Sequence, residues 1–262
     1  MKKPFVLFMG IGCFASCHKT EISPDNGWTW FGTSNPVVYN YVLINANQVT
    51  TKADTNEFHI AIAAAFIDSN SNKLTGVDDL SVNNKAINRN VDSTYSYDYG
   101  EQSSLNEGLA LYGTNVSITI KGCSNADTAT KTVYLPRKLI NVVSDFPDAI
   151  DASGDLSLKW AVDPANIWGH VIIQVYYYAG LSHSSDSTMP EQINTLNYTV
   201  ADNGSYTIKS KDLNIYPVKS YIGISIARGT QSEVVLPISK KRVFYFSNSS
   251  ASTPPLIVNR NN

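Results

Sequence analysis

Residues 156–160 read LSLKW and residues 171–178 read VIIQVYYY, and these two segments decide the fold class of the chain. In the first segment, Leu156, Leu158 and Trp160 alternate with polar residues, which is the pattern of a half-buried strand. The second is a run of β-branched and aromatic residues, which favour strands. Similar short segments recur at 37–44, 58–63, 109–112, 116–120, 130–135, 204–208, 221–227 and 234–246. No window of helical periodicity persists for three turns, so the sequence predicts an all-β protein of short antiparallel strands.

The spacing of these segments predicts two tandem antiparallel β-sandwich domains. Residues 136–153, PRKLINVVSDFPDAIDAS, contain two prolines and several acidic residues, and such a composition is typical of a linker. We therefore place the first domain at 28–136, a linker at 137–153 and the second domain at 154–251. The first domain is Ig-like in its strand spacing only. Residues 252–262 contain two adjacent prolines and are predicted to form a loosely held tail.

The second domain resembles a fibronectin type III domain. Trp160 stands where the second strand of that family carries its core tryptophan, and residues 171–178 resemble the family's third strand. Residues 205–213, SYTIKSKDL, followed by Tyr221 resemble the segment that leads into the tyrosine corner, where a tyrosine hydroxyl bonds back to the backbone. The resemblance implies a sandwich with Trp160 buried and Tyr221 at that corner. It implies no particular function, because such sandwiches serve many functions.

The N-terminus resembles the signal peptide of a bacterial lipoprotein of the Bacteroidota type. Lys2 and Lys3 precede an apolar run at 4–14, and two small residues stand directly before Cys17. The resemblance implies that residues 1–16 are cleaved, that Cys17 is acylated, and that residues 17–27 form a polar tether at the cell envelope. The alternative is an ordinary secretory signal cut after residue 15 or 16. His18, rather than an aspartate, follows the cysteine, which favours the outer membrane.

The charge and cysteine content argue against some partners and bonds. The chain has 20 Lys+Arg and 22 Asp+Glu, and removal of residues 1–16 takes two lysines, which leaves 18 against 22. Basic residues cluster only at 240–242, so nucleic acid is not an expected partner. After cleavage and acylation, Cys123 is the one remaining free cysteine, so no intramolecular disulfide is expected.

Residues 68–79 carry oxygen-bearing side chains at the spacing of a calcium loop. Asp68, Asn70, Asn72 and Asp79 are the candidate ligands, at positions 1, 3, 5 and 12 of such a loop. Lys73 stands where the loop needs a glycine, and Asp79 replaces the usual glutamate. The alternative interpretation is a polar hairpin turn rich in Asn and Ser. No other cofactor is expected.

Trp168 and Tyr177 form a second candidate site, a platform for a ligand. Trp168 lies in the loop after the LSLKW strand, and at least one of the three consecutive tyrosines at 176–178 must point away from the core. Exposed aromatic rings stack on sugars and also anchor protein contacts. The alternative for Trp168 is that it covers the open end of the sandwich, because large aromatic residues are more often buried than displayed.

The sequence lacks catalytic motifs. Residues 223–227 resemble a nucleophile elbow only loosely, because Ser225 lies within an alternating strand rather than at a strand-to-helix turn. His59 and His170 stand alone on strands, and no HExxH, phosphate loop or CxxC is present. We therefore expect a non-enzymatic, membrane-anchored structural or binding module. The alternatives are a glycan-binding surface lipoprotein accessory to polysaccharide uptake, and an accessory subunit of a cell-surface complex with an outer-membrane protein.

Overall fold

The computed structural model describes residues 40–50, 56–66, 77–91, 94–99, 104–122, 128–139, 149–178, 195–238, 240, 242–253 and 255–260. All of them belong to one compact unit, Val38–Asn262. The described elements, in chain order, are β1 (Asn40–Thr50), β2 (Asn56–Phe66), β3 (Val77–Val82), β4 (Lys85–Ile87), β5 (Tyr95–Asp98), α1 (Leu105–Leu109), β6 (Thr114–Gly122), β7 (Ala129–Leu135), β8 (Ala149–Asp151), β9 (Leu156–Lys159), β10 (His170–Tyr177), β11 (Leu196–Ala201), β12 (Ser205–Ile208), α2 (Ser210–Leu213), β13 (Tyr221–Val235), β14 (Arg242–Ser252) and β15 (Leu256–Asn259). The fold is therefore all-β, as the sequence predicted.

A nine-stranded sheet is the largest element of the molecule. Its strand order is β11-β10-β13-β14-β1-β2-β5, and β15 and β8 join it through β13. Strand β1 runs parallel to β14, from Tyr41 opposite Phe244 to Val49 opposite Ser252. A four-stranded sheet, β4-β3-β6-β7, and a two-stranded sheet, β12-β9, complete the described strands. Because β1 precedes the predicted linker and β14 follows it, one sheet joins strands from both sides of that linker.

Two hydrophobic cores lie on one face of the nine-stranded sheet. The first core packs β1 and β2 against β3, β6 and β7, and its fully buried residues include Val42, Ile44, Ile60, Ile62, Ile118 and Ile120. The second core packs β10 and β13 against β9 and β12, and its buried residues include Leu158, Trp160, Ile173, Ile208 and Ile224. The chain passes from the first core to the second between Leu135 and Leu139, both of which are completely buried.

Strands β13 and β14 form a long hairpin that both cores share. The hairpin places Ile222, Ile224, Ile226 and Ala251 in the second core and Val234, Val243 and Tyr245 against or within the first. Alternate residues of a strand point to the same face, so all of these side chains point to one side. The hairpin is therefore the element that connects the two cores.

The prediction of a strand at residues 109–112 was wrong. The Gly108 N–H donates to the Ser104 carbonyl at 3.1 Å and the Ala110 N–H to the Asn106 carbonyl at 3.0 Å, which makes α1 and the turn after it. The apolar run there, LALY, is only four residues long. A run that short fits one helical turn as well as a strand, so periodicity alone could not separate the two.

The prediction of a loosely held C-terminal tail was wrong for residues 255–260. Leu256 and Val258 of β15 are 1% exposed and belong to the second core. The Lys219 N–H donates to the Val258 carbonyl at 2.7 Å, and Arg260 Nη2 donates to the Tyr216 carbonyl at 3.2 Å. The apolar residues that follow the two prolines therefore close the second core.

Candidate functional site

The inward face of the β13–β14 hairpin changes from apolar to polar at its middle. Beyond Ile226, the inward positions of β13 are Arg228 and Thr230, and the residues opposite them on β14 are Ser249 and Ser247. This stretch lies between the two cores. Residues 134–139, at the end of β7 and just after it, cross this stretch, and we call them the crossing segment. We call the following set the polar seam: Tyr134, Arg137, Lys138, Asp163, Asp202, Arg228, Thr230, Ser247 and Ser249.

Hydroxyl groups of the hairpin bind the start of the crossing segment. Thr230 Oγ1 and Ser247 Oγ both donate to the Tyr134 carbonyl oxygen, at 3.1 and 2.5 Å. The two hydroxyl oxygens also lie 2.8 Å from each other. Because a buried carbonyl must find a donor, these side chains replace a partner strand at this point.

The next part of the crossing segment is bound in the same way. Ser249 Oγ donates to the Arg137 carbonyl oxygen at 2.8 Å. Arg228 Nη2 donates to that oxygen at 2.9 Å and to the Lys138 carbonyl oxygen at 3.1 Å. The side chains of β13 and β14 therefore fix the backbone that leads from one core to the other.

Arg228 is the charged centre of the polar seam, and its side chain is completely buried. Its Nη1 donates to the two carboxylate oxygens of Asp202 at 3.0 and 3.2 Å and to the Ala161 carbonyl at 2.8 Å. Its Nε lies 3.9 Å from Asp163 Oδ2 and has no hydrogen-bond partner. A buried guanidinium is tolerated only where carboxylates and acceptors surround it, and two carboxylates do so here.

Asp163 collects donors from three residues of the loops around it. Its Oδ2 accepts the Arg137 backbone N–H at 2.8 Å, and its Oδ1 accepts the Ala165 N–H at 3.1 Å. The Tyr134 hydroxyl donates to both carboxylate oxygens, at 3.0 and 3.1 Å. The pKa of Tyr134 is raised above its ordinary value, first by burial and to a smaller extent by this bond to Asp163. Asp163 thus ties the crossing segment to the loop after Trp160.

Asp202 connects the polar seam to the second core. Trp160 Nε1 donates to its Oδ1 at 2.8 Å, and Asn166 Nδ2 donates to its Oδ2 at 3.0 Å. Trp160 is 5% exposed and belongs to the second core, so the prediction of a buried tryptophan at this position is confirmed. The indole N–H of a buried tryptophan needs an acceptor, and Asp202 supplies it.

The charged centre of the polar seam is sealed from solvent. The side chains of Arg228 and Asp163 are 0% exposed, and that of Asp202 is 3% exposed. No substrate in solution can reach these groups without unfolding part of the protein. What the arrangement can do is hold the crossing segment, the hairpin and the loop after Trp160 in one fixed geometry.

The sequence contained one signal for the polar seam that the strand prediction did not use. Arg228 falls at the same alternation as Ile222, Ile224 and Ile226, so its side chain had to point toward the core. The strand predicted at 221–227 stops just before Arg228, whereas β13 continues to Val235. The acidic partners at 163 and 202 could not be found in this way, because they come from loops distant in sequence.

Trp168 and Tyr177 lie near opposite ends of β10, so the structure does not bring them together. The Trp168 ring is half-buried and lies 5.3 Å from the His170 ring, at the start of the strand. Tyr177 ends the strand and packs against the second core. His170 and Tyr177 are seven residues apart, which is roughly 23 Å along a strand. A single platform made by both rings is therefore not formed.

Of the four candidate calcium ligands, only Asp79 lies within the described residues. It is exposed on β3, where Lys121 of β6 is its cross-strand partner. Asp68, Asn70 and Asn72 lie outside the described residues, as does Cys17. Across the described part of the chain, no group of three or more His, Cys, Asp or Glu side chains could hold a metal ion.

Tyr216 makes the hydroxyl-to-backbone bond that the resemblance placed at Tyr221. Its hydroxyl donates to the Val175 carbonyl at 2.9 Å, and its ring is 1% exposed. Burial raises the pKa of Tyr216 above its ordinary value. The Tyr216 N–H donates to the Leu213 carbonyl at 3.1 Å, so the turn at the end of α2 sets the position of the ring. Tyr221 lies farther on, as the first residue of β13.

A small cleft beside the β3–β4 hairpin holds an ion pair of its own. The cleft has a volume of about 290 Å³, and Lys85, Tyr99, Glu107 and Thr114 are among its lining residues. Lys85 Nζ lies 2.6 Å from Glu107 Oε2 and 4.3 Å from the centre of the Tyr97 ring. The bond to Glu107 raises the pKa of Lys85. Both charges of this ion pair therefore already have partners within the cleft.

No protein-family model matches this chain, and no curated protein matches it. Among the helices of the described part of the chain, none has the length and apolar character needed to cross a membrane.

Proposed function

We propose that this protein is a non-enzymatic lipoprotein of the cell envelope, anchored in the outer membrane by lipid on Cys17. Its role is that of a structural or binding module made of two linked β-sandwich lobes, of which the second is fibronectin type III-like. The arrangement of β9 and β12 opposite β10 and β13 across the second core supports the second lobe's assignment. The first lobe, with β1 and β2 opposite β3, β6 and β7, supports the idea of two sandwiches.

The observation that carries this proposal is the hairpin shared by the two cores and fixed at its middle by the polar seam. Strands β13 and β14 pair from Ser225 opposite Ser252 to Val235 opposite Arg242 without a register break. A hinge between the lobes would have to break the buried bonds of Arg228, and a buried charge that loses its partners is strongly unfavourable. Two sandwiches joined in this way form a stiff unit, which suits a protein that holds a surface at a fixed distance from a membrane.

The chemistry of the polar seam supports a non-enzymatic role. The charged side chains of Arg228, Asp163 and Asp202 are buried, and every polar atom of the three except Arg228 Nε has an internal hydrogen bond. A general acid or base must reach the proton that it transfers, and these groups reach only their own backbone and side-chain partners.

The anchor is tested by comparing Cys17→Ser with Cys13→Ser in cells labelled with radioactive palmitate. We expect Cys17→Ser to lose the label and leave the membrane fraction, because the thiol is the acylation site and a protein without the lipids has no stable attachment. Cys13→Ser is the matched control, since it removes a cysteine from the apolar run, and it should keep both label and membrane association. If Cys17→Ser remained labelled and membrane-bound, the proposed anchor would be wrong.

A further inference from the structure

The end of the β13–β14 hairpin carries exposed apolar and basic side chains side by side. Val235 is 49% exposed and Ile238 is 59% exposed, although apolar side chains of this kind are usually buried. Lys240 is also exposed, and the side chain of Arg242 is 67% exposed. We call the following described residues the hairpin tip: Glu233, Val235, Leu236, Pro237, Ile238, Lys240 and Arg242. The hairpin tip is therefore amphipathic.

The hairpin tip is tied to the first core. Leu236 is 5% exposed and belongs to that core, and the Lys240 N–H donates to the Leu236 carbonyl at 3.1 Å. Val235 stands directly opposite Arg242 in the ladder, so the two side chains lie on the same face of the hairpin. Because these contacts fix the base of the turn, a partner can bind the hairpin tip at a lower cost in conformational entropy.

The charge of the hairpin tip is opposite to that of the rest of the chain. After residue 16, the sequence has 18 basic and 22 acidic residues, of which three basic and one acidic lie at 233–242. The segment 233–242 thus carries a formal charge of +2 and the remainder −6. Arg242 and Glu233 lie 3.6 Å apart, but both are exposed, and such a pair is weak. An anionic partner is attracted to this end of the molecule and repelled by the rest.

The hairpin tip lies beside the first residue of the nine-stranded sheet. Asn40, which begins β1, donates from Nδ2 to the Arg242 carbonyl at 3.2 Å. Asn40 follows Cys17 by 23 residues, and a chain of that length reaches at most about 80 Å. A lipid on Cys17 therefore keeps the hairpin tip within a limited distance of the membrane, which raises the effective concentration of lipid around it.

The opposite end of β13 has similar side chains in a different position. Ile215 and Val218 are 42% and 45% exposed, and Lys219 beside them is exposed as well. Tyr221 and Val235, the two ends of β13, are 14 residues apart, which is roughly 46 Å along a strand. The start of β1 lies at the Val235 end, so the hairpin tip is the end connected most directly to the proposed anchor.

We propose that the hairpin tip contacts the anionic headgroups of the membrane in which the protein is anchored. Anionic lipids attract basic side chains near a membrane surface, and each such side chain contributes about five-fold in affinity. The exposed apolar side chains beside them can enter the boundary between headgroups and acyl chains. This inference rests on the proposed lipid anchor and adds an orientation to it, in which the hairpin tip faces the lipids and the Tyr221 end of β13 faces away.

A protein partner fits the hairpin tip less well than a membrane does. A stable protein interface takes about 20–30 residues from each side, and the hairpin tip has far fewer. A membrane contact needs no larger area, because the lipid anchor already supplies the stable attachment. The contact at the hairpin tip then only has to set the orientation of the molecule.

The test uses residues 17–262 with Cys17→Ser, a chain that contains the whole compact unit Val38–Asn262 and carries no lipid. The protein is sedimented with sucrose-loaded vesicles, made either of phosphatidylcholine alone or of phosphatidylcholine with phosphatidylglycerol at about two to one. We expect binding to be about ten-fold stronger to the anionic vesicles. Binding should weaken as salt is added, because salt screens the attraction.

Two pairs of variants locate the contact. Lys240→Glu should weaken binding to the anionic vesicles by about ten-fold or more, because a repulsive charge replaces an attractive one. Lys219→Glu is the matched control and should stay within about two-fold, since both lysines are exposed, have positive φ angles of 57° and 66°, and undergo the same change of charge. Ile238→Ser should weaken binding by about three-fold or more, whereas Ile215→Ser should have no such effect.

A second measurement examines the contact in the lipidated protein. The anchored chain with Ile238→Trp is reconstituted in anionic vesicles that contain brominated lipid, which quenches tryptophan fluorescence on contact. We expect stronger quenching than in the unsubstituted protein, because the new ring lies among the lipids. Ile215→Trp is the control at the other end of β13, and it should add no quenched fluorescence.

Several results would overturn the proposal. These are no binding to anionic vesicles, equal binding to both kinds of vesicle, equal losses in Lys240→Glu and Lys219→Glu, and extra quenching in Ile215→Trp but not in Ile238→Trp. If Lys240→Glu left vesicle binding unchanged but removed a co-purifying envelope protein, the hairpin tip would be a protein interface. The vesicle experiment needs no lipid on Cys17, so it can fail while the palmitate experiment succeeds, and the reverse also holds.

Discussion

The polar seam and the two hydrophobic cores are stabilised by different kinds of contact. In the cores, aliphatic residues such as Ile62 and Ile224 are completely buried and depend on close packing. In the seam, each main contact joins a named donor to a named acceptor, as between Arg228 and Asp202. Packing tolerates a change of chemistry if the shape is kept, whereas a buried polar contact tolerates neither loss of a partner nor a change of charge.

The difference explains how the two cores can share one hairpin without merging. Apolar contacts are not directional, so a continuous apolar face along β13 and β14 would allow the crossing segment to shift along it. The carbonyls of Tyr134 and Arg137 instead meet fixed donors on the hairpin. The seam therefore defines where the first core ends and the second begins.

The largest expected effect comes from removing the cation of the polar seam. Arg228→Met keeps an apolar stem of similar length but leaves Asp202 buried without a cation and Asp163 with only the 3.9 Å contact to Arg137 Nε. We expect the free energy of unfolding to fall by about 3–5 kcal/mol, measured by urea denaturation. Adding Asp163→Asn and Asp202→Asn to this variant should recover part of the loss, because the uncompensated charges are then gone.

Arg242→Met is the matched control for this experiment. Arg242 lies on the same hairpin and pairs with Glu233 at 3.6 Å, but the two side chains are 67% and 46% exposed. An exposed pair of this kind contributes less than about 1 kcal/mol. Equal losses in Arg228→Met and Arg242→Met would contradict the idea that the polar seam holds the lobes together.

The sequence predicted most of the strands that pack in the two cores but not the contacts between the cores. Alternation identified segments in β1, β2, β6, β7 and β13, and a run of β-branched and aromatic residues identified β10, because both features lie within a strand's own few residues. It missed β3 and β4, where acidic residues interrupt the pattern and the turn is made by Asn83 and Asn84 in left-handed backbone conformation. Asn-Asn is a weaker hairpin signal than Asn-Gly.

The parallel pairing of β1 with β14 could not be predicted from local pattern. The two strands are separated by almost the whole described chain. The two-residue alternation along a strand does not show which other strand it pairs with. The contacts of the polar seam could not be predicted from the sequence for the same reason. The bond from Arg228 to Asp202 joins residues 26 positions apart, and that from Arg228 to Arg137 joins residues 91 apart.

A second, smaller effect tests whether the first core depends on shape. A Cβ at Gly108 would lie 2.6 Å from Tyr99 Cβ and 3.0 Å from Ile60 Cδ1, and both neighbours belong to the first core. Alanine favours a helix over glycine by about 1 kcal/mol, whereas overpacking costs about 1–3 kcal/mol. Because the nearest atom belongs to the fixed base of a side chain, we expect Gly108→Ala to lose about 1 kcal/mol net in urea denaturation.

Gly154→Ala is the control for this substitution. The nearest atom to its Cβ would be the Asp151 carbonyl oxygen at 4.0 Å, which is an ordinary contact. Its effect should stay within about 0.5 kcal/mol. If Gly108→Ala proved as stable as Gly154→Ala, the first core would not be closely packed at this position. The contrast between closely packed cores and the defined donor–acceptor pairs of the polar seam would then weaken.

The smallest effect separates two buried tyrosines that differ in their partners. Tyr216 in the second core donates to the Val175 carbonyl at 2.9 Å, whereas the Tyr245 hydroxyl in the first core has no partner. We expect Tyr216→Phe to lose about 1 kcal/mol at neutral pH. Tyr245→Phe should be neutral within about 0.5 kcal/mol or slightly stabilising, because it removes a buried hydroxyl without a partner.

Alkaline titration of the same two variants shows what the tyrosines share. Burial raises the pKa of both Tyr216 and Tyr245 above 10.0, so the folded protein keeps protons that the unfolded chain releases. The wild-type protein should therefore have its full stability below about pH 10 and lose stability as the pH rises further. Each Phe variant should lose less over that range, because it removes one such group. A steeper loss of stability with rising pH in either variant would contradict the assignment of burial as the cause. If both variants instead lost equally little stability with rising pH but differed in stability at neutral pH, the effect of burial would be separated from that of hydrogen bonding in the two cores.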